Sequence, residues 1–363
     1  MTDKKNLEQV RAEIDALDQQ ILELLGRRAD CATRVATIKQ AGAVTDEAVF
    51  FRPEREAQVL RRIKEQRQGA LPPDSVAAIF REIMSACLAL ELPLQVAYLG
   101  PPGTFTQAAA IRHFGHAVLS RPTLSIDAVF SLVESGECHY GVVPVENSTE
   151  GMVNYTLDNF MESSLHICGE VEVRIHHHLL ASSSGLENIQ RIYAHQQALA
   201  QCRNWLEIHC PKVEQVAVSS NGEAARLAAE EPTSAAVAGE LAAREYQLAT
   251  LAENIEDQGD NSTRFLVVGR EEVPPSGHDK TSLIVASRNR PGALLKLLQP
   301  FAAAGISLTR IDTRPSRTEK WAYVFFIEFE GHLQDENIAG IITELEEQSI
   351  LLKPLGSYPA AVL

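Results

Sequence analysis

Over the first 92 residues the hydrophobic positions repeat on a helical period. Leu7, Val10, Ile14, Leu17, Ile21, Leu24, Arg28, Cys31, Val35 and Ile38 fall on alternating three- and four-residue steps, the spacing of a long helix packed as in a coiled coil. Gly42 offers a stop, and Pro53 a first helical position for a second helix with Val59, Leu60 and Ile63 inside. Asp74 is placed to cap a third helix, whose stripe is Val76, Phe80, Ile83, Cys87 and Glu91 and which Pro93 ends. The segment therefore reads as three helices of unequal length with no strand. Arg28 is out of keeping with its stripe: a cation on an apolar seam is costly unless it is paired or snorkels to water.

From Val96 onward the period changes. Short β-type runs at 95–99, 141–145, 171–180, 191–194, 213–218, 235–238 and 264–269 alternate with helical patterns at 105–114, 125–134, 197–209, 221–230 and 239–246. This is an α/β pattern. After a linker, Pro274-Pro-Ser-Gly277, the order becomes β-α-β-β-α-β, with strands at 281–287, 306–313, 321–329 and 350–357 and helices at 291–303 and 335–347. That order is ferredoxin-like, an α+β unit.

Composition sharpens this picture in two ways. The net charge of -15 is concentrated in the middle: residues 93–279 hold 10 Lys/Arg against 24 Asp/Glu, while 1–92 hold 14 against 15 and 280–363 hold 9 against 9. Such a surface argues against nucleic acid or an anionic membrane as partner. The six cysteines are scattered with no Cys-x-x-Cys pair, there is no apolar signal-peptide core, and no apolar run reaches membrane-spanning length. A cytoplasmic protein with reduced thiols is expected.

Candidate chemistry centres on Gly141-Val-Val-Pro-Val-Glu146-Asn147-Ser148-Thr149-Glu150-Gly151, an apolar run that breaks into a polar cluster. It reads as a buried strand whose carboxyl end faces a cleft, where open α/β sheets bind ligands. Two further stretches share the character. Asn261-Ser262-Thr263-Arg264-Phe265 precedes another β-type run, and Gly100-Pro-Pro-Gly103-Thr104 leads into a helix start suited to an anion. That loop lacks the lysine of a phosphate loop, so a nucleotide is not expected. His176, His177 and His178 include only two residues on one strand face, with no acid or cysteine spaced to complete a ligand set, so no metal and no cofactor are expected.

Together these three stretches resemble the prephenate dehydratase family. The resemblance implies two α/β lobes like a type-2 periplasmic binding protein, the second near residues 172–258, with the chain returning to the first at Thr263. It implies catalytic roles for Thr263, Asn147 and Gln201 and substrate contacts from Thr104, Glu146, Ser148, Thr149, Arg264 and Phe265, with Ala194 where some relatives have serine. Arg264 would supply a local cation, although neighbours on a strand face opposite ways.

The helical segment resembles the all-helical chorismate mutases, whose substrate-binding pattern falls on Arg11, Arg28, Lys39, Arg55, Glu56, Cys87 and Glu91. Arg52 stands where an acid is common, Cys87 where serine is common and Glu91 where glutamine is common. Rearrangement of the chorismate dianion needs cations on its carboxylates and donors at the breaking ether oxygen, without covalent catalysis. Arg28 and Lys39, roughly three turns apart, project from nearly one face, whereas Arg11 and Arg28 are too far apart for one small molecule to bridge, which implies a homodimer. The C-terminal unit resembles ACT domains, with effector positions at Asn289, Gly292, Ala293, Leu294, Asp312, Thr313, Arg314 and Pro315. The implied units are 1–92, 95–270 and 281–358. The implied chemistry takes chorismate through prephenate to phenylpyruvate, with phenylalanine as inhibitor. A catalytically silent amino acid sensor is the alternative, and the cations at 11, 28, 39 and 55, for which a sensor has no use, argue against it. An enzyme that keeps only one of the two activities is a second alternative.

Overall fold

The computed structural model describes residues 2–42, 51–66, 69–182, 185–287, 290–315 and 323–362. Three helices open the chain: α1 (Thr2–Gly42), α2 (Pro53–Gln66) and α3 (Pro73–Glu91). Asp74 lies in the first turn of α3, after Pro73, and pairs with Lys64 at 2.7 Å instead of capping. The apolar stripe of α1 is bare: Leu7 is 50% and Ile21 53% exposed, and Val10, Ile14, Leu17 and Leu24 are comparable. On α3 the buried side chains are Ala77, Arg81, Ser85 and Cys87, while Phe80 stays exposed. The inward face of α3 is thus rotated from the predicted stripe, because Arg81 and Ser85 pack against the next unit. Arg81 Nη1 donates to Arg112 O at 2.6 Å, and the Ser85 hydroxyl accepts from Ala117 N at 3.3 Å.

The first α/β lobe runs β1 (Gln95–Leu99), α4 (Phe105–Phe114), β2 (Leu119–Thr123), α5 (Ile126–Glu134), β3 (Tyr140–Asn147), β4 (Gly151–Met152), α6 (Asn154–Glu162) and β5 (His166–Arg174). The second runs β6 (His178–Ala181), β7 (Arg191–His195), α7 (Gln196–Gln201), α8 (Arg203–His209), β8 (Glu214–Val218), α9 (Asn221–Glu230), β9 (Ser234–Ala238), α10 (Glu240–Glu245) and β10 (Ala249–Ala252). The chain then returns to the first sheet through β11 (Ser262–Gly269). The sheet orders are β2-β1-β3-β11-β5, with β4 on β3, and β10-β6-β9-β7-β8. The expected strand 171–180 is therefore two strands in two sheets, broken at 175–177 where the chain crosses between lobes. The expected helix 197–209 is likewise split at Cys202. The lobes touch closely: a Cβ on Gly222 would lie 2.5 Å from Pro102 O, and one on Gly103, which is left-handed at φ +81, 2.9 Å from Ala242 Cα.

The last unit is β12 (Asp279–Ala286), α11 (Ala293–Ala304), β13 (Leu308–Pro315), β14 (Tyr323–Glu330), α12 (Glu336–Gln348) and β15 (Leu351–Pro359), with sheet order β13-β14-β12-β15. This is the ferredoxin-like arrangement. One face of the sheet packs on α11 and α12 through Leu283, Val285, Phe301, Phe329 and Ile341, and the other joins the core of the first lobe through Ile284, Phe326 and Tyr358. Helix α2 ties the helical unit to this body: Arg61 donates to the carbonyls of Ser276, His278 and Ala360, and Lys64 to that of Val362 at 2.9 Å.

Candidate functional site

Strands β3 and β11 are antiparallel neighbours that pair Thr263 with Asn147 and Arg264 with Glu146. Side chains alternate along a strand, so the two pairs face opposite ways. Asn147 Nδ2 donates to Thr263 Oγ1 at 2.7 Å and to Asn261 Oδ1 at 3.0 Å. Asn261 Nδ2 continues to Gln201 Oε1 at 3.2 Å, and His177 Nε2 lies 2.9 Å from the same oxygen. The Ser148 and Thr149 hydroxyls also donate to Asn261 Oδ1. Asn147, Gln201, Thr263 and His177 line one cavity with Phe105, His195 and Asn221. A continuation lined by Thr104, Phe265 and Ser220 shares Thr263, Phe105 and His195. This is the interlobe cleft, and it receives the amino ends of α4 and α9, which present backbone N–H groups to an anion.

The other pair leaves the cleft. The Arg264 guanidinium donates to Glu170 Oε2 at 2.9 Å and is in contact with Glu328 and Tyr358, within the junction with the C-terminal sheet. Burial disfavours its charge, but Tyr358, Glu328 and Glu170 outweigh that and raise its pKa. Burial also pushes Glu328 up, yet Arg264, Thr309 and Lys280 hold it below the usual carboxylate range. Glu146 pairs with Arg310 of β13. Arg264 and Glu146, expected as substrate contacts, thus form interdomain ion pairs in this structure. No side chain lining the cleft is a lysine or arginine, among the described residues.

Sequence reasoning missed Asn261 and His177. Asn261 lies in a stretch already singled out, but its role needs Gln201, sixty residues away. The histidine run is explained without a metal: His176 Nδ1 lies 2.7 Å from Glu256, His178 Nδ1 accepts from Asn254 N at 3.1 Å, and His177 faces Gln201.

In the helical unit, Arg28, Lys39, Cys87 and Glu91 come together along the α1/α3 seam. Arg28 Nη1 donates to Ile83 O at 3.3 Å, Lys39 Nζ lies 3.7 Å from Glu91 Oε2, and Cys87 is buried. Arg55 is exposed on α2 and Arg52 is exposed just before it, 3.5 Å from Glu54. Glu56 points elsewhere: it pairs with Arg81 at 3.2 Å, and both line a small cavity beside His113 and the C-terminal residues 359–362. Burial raises the Glu56 pKa against the opposing pull of Arg81. Arg11 lies 17 residues from Arg28 along α1, roughly 25 Å.

Of the C-terminal positions, Asn289 lies outside the described residues. Gly292 adopts the left-handed conformation at φ +78 and precedes Ala293 and Leu294 at the start of α11. Asp312, Thr313, Arg314 and Pro315 lie on β13, at one edge of the sheet. Arg314 is engaged by Asp158 of α6 at 2.8 Å, which makes it an interdomain contact.

Comparison with known proteins follows this division. Residues 10–92 match the type II chorismate mutases, 96–273 the prephenate dehydratases and 281–347 the ACT domain. The bifunctional chorismate mutase/prephenate dehydratase of Stutzerimonas stutzeri is 57% identical over 365 residues, covering 100% of both chains. Prephenate dehydratase of Arthrobacter aurescens in complex with L-Phe matches at 36% identity and TM-score 0.68, over 73% of this chain and 90% of that one. A quorum-quenching acylase, GqqA, matches at 30% identity and TM-score 0.69, over 74% and 98%. A full-length match at this identity leaves one conclusion: the chain belongs to the bifunctional chorismate mutase/prephenate dehydratase family.

Proposed function

We propose that the chain carries out two consecutive reactions, chorismate to prephenate in residues 1–92 and prephenate to phenylpyruvate in residues 95–270, under phenylalanine control at residues 281–358. The observation that carries the second reaction is the Asn147–Thr263 hydrogen bond where the end of β3 meets the start of β11, in the interlobe cleft. Loss of the ring carboxylate as carbon dioxide leaves its bonding electrons to form the aromatic ring, and these expel the ring hydroxyl. One proton from solvent completes the departing water. Thr263 Oγ1 accepts from Asn147, so its own proton is free to donate to that hydroxyl. Acyl transfer, the chemistry of the acylase neighbour, needs a base on the nucleophile. Here the threonine oxygen meets an amide donor instead.

For the first reaction, Arg28 and Lys39 hold the substrate carboxylates while Glu91 and Cys87 flank the breaking ether bond. Arg11 comes from a second copy, and the bare α1 stripe from Leu7 to Leu24 is the surface that pairing covers. Phenylalanine is read by the open start of α11 at Gly292 and by the β13 edge, and the ion pairs Glu146–Arg310 and Arg314–Asp158 connect that sheet to the lobe that carries Thr263. No described helix is long and apolar enough to cross a membrane, and all six cysteines are free thiols, which supports a cytoplasmic setting. Purified protein given chorismate alone should yield phenylpyruvate, followed by ultraviolet absorbance, and added phenylalanine should suppress it. Accumulated prephenate without phenylpyruvate would refute the cleft assignment, and unconsumed chorismate the helical one.

A further inference from the structure

One anchor fixes the orientation of every amide in the cleft network. Asn147 Oδ1 accepts the backbone N–H groups of Thr149 at 3.0 Å and Glu150 at 3.1 Å. Backbone N–H groups only donate, so Asn147 cannot turn its amide over, and its Nδ2 must face Thr263 and Asn261. Asn261 accordingly presents Oδ1 to Asn147 and Nδ2 to Gln201 Oε1. The Gln201 oxygen can only accept. His177 Nε2, 2.9 Å from it, must therefore carry a proton, and the neutral ring has its lone pair on Nδ1. His177 is 2% exposed, and its Nδ1 has no hydrogen-bond partner among the described residues. Burial lowers its pKa and so favours the neutral ring.

Two donors are left over at the end of this chain. The Thr263 oxygen is already an acceptor, which frees its O–H. The Gln201 oxygen takes both His177 and Asn261, which frees its NH2. Both residues line the same cavity.

We propose that His177 is a positioning residue for the dehydratase reaction: its Nε2–H, given to Gln201 Oε1, holds the Gln201 amide so that its NH2 group faces the substrate beside the Thr263 hydroxyl. This rests on the reading of the cleft as the dehydratase site. The ring is well placed to hold a partner still. The Phe105 ring packs edge-on against it, with centroids 5.7 Å apart. Glu256 Oε2 accepts the His177 backbone N–H at 2.8 Å, and Ile255 N donates to the His177 carbonyl at 2.8 Å. Without the imidazole donor Gln201 keeps only Asn261, and its amide is free to rotate away from the substrate.

His177→Phe keeps the ring and removes the donor. Dehydratase kcat should fall roughly 10- to 100-fold, the usual loss when an orienting partner is removed. Mutase turnover on the same chain should be unchanged, reporting an intact fold. His177→Gln, which restores an N–H at similar reach, should recover most of the loss. Combined with Gln201→Ala, His177→Phe should add little further loss, because the two act as one unit. In 15N spectra of histidine-labelled wild-type protein, His177 should appear as the Nε2-protonated neutral tautomer across the working pH range. A His177→Phe kcat within about twofold of wild type would overturn the proposal. Equal losses in the Phe and Gln variants, or an Nδ1-protonated ring in the spectra, would do the same. If His177→Phe also loses mutase activity and so fails to fold, the wild-type spectrum decides alone. Absence of dehydratase turnover in the wild-type protein would strike the reading of the cleft instead.

Discussion

The helical unit and the interlobe cleft meet the same kind of substrate, a small dianion, by opposite means. The α1/α3 seam gathers Arg28 and Lys39 beside Glu91, with Arg55 exposed nearby on α2. The cleft offers the amides and hydroxyls of Asn147, Gln201, Asn261 and Thr263, helix amino ends, and no lining lysine or arginine among the described residues. Arg264, which follows Thr263 on β11, is turned into the interdomain junction. The difference follows from where the charge goes. The mutase keeps both carboxylates, so cations that hold them cost nothing at the transition state. The dehydratase must release one as neutral carbon dioxide, and a cation beside it would stabilise the ground state more than the transition state. Neutral donors can bind the retained pyruvyl carboxylate and the leaving hydroxyl without that penalty.

The largest effect expected is from Thr263→Ala. Removing the donor at the leaving hydroxyl should cut dehydratase kcat by roughly 10²- to 10³-fold, the scale seen when a transition-state donor is removed, and leave mutase turnover intact so that prephenate accumulates. Parallel loss of both activities would merge the two regions into one structural unit. Next comes the origin of the cations. Arg11→Ala and Arg28→Ala proteins, each inactive as a mutase, should recover about a quarter of wild-type activity when dissociated and remixed equally. Half the dimers are then hybrids with one intact site of two. No recovery in verified hybrids would place both arginines in one chain's site.

The comparison can also be broken directly by putting a cation in the cleft. Gln197 is exposed and lines both parts of it. Gln197→Lys should lower the prephenate KM several-fold and lower kcat by more, by the ground-state argument above. A raised kcat would refute the account of the neutral cleft. Smaller still is the effect of Glu91→Gln. Lys39 Nζ lies 3.7 Å from Glu91 Oε2. A carboxylate has no proton to offer the ether oxygen, whereas an amide donates, so Glu91→Gln should raise mutase kcat severalfold. An unchanged or lowered kcat would remove Glu91 from the donor role.

The smallest effect concerns the boundary between the two regions, where His113 sits beside Arg81 and Phe51. Burial, reinforced by the Arg81 charge, lowers its pKa from 6.5 to about 3. Between those values the unfolded chain binds the extra proton, so this contribution to stability is present above pH 6.5 and is lost as pH falls towards 3. His113→Phe should therefore show a shallower fall in Tm between pH 7 and pH 5 than wild type, read by scanning calorimetry. Identical slopes would mean His113 is solvated on folding.

Much was legible in the chain because it depends on short-range periodicity. The three helices, the change to α/β at Val96, the ferredoxin-like order after Pro274 and the motifs at 141–151 and 261–265 all follow from hydrophobic spacing and turn residues. The elements missed were those with weak periodic signals. β2 reads Leu-Ser-Arg-Pro-Thr, an edge strand with one buried side chain, and α6, Asn154–Glu162, begins without a side-chain cap.

The sequence also determined that Asn147 and Glu146, or Thr263 and Arg264, face opposite ways, because strand alternation is a property of the backbone. It did not determine which member faces the cleft. That depended on the C-terminal sheet closing one side of β3 and β11 and bringing Glu328 and Arg310 to Arg264 and Glu146. The same holds for Glu56, whose helical position was readable but whose partner Arg81 was set by the packing of α2 on α3. His177 and Asn261 acquired their roles only when the second lobe folded over the first. Hydrogen-bond partners 60 or 114 residues apart leave no periodic trace in the sequence, and their polarity is fixed by backbone donors that only the folded turn at Thr149 and Glu150 presents.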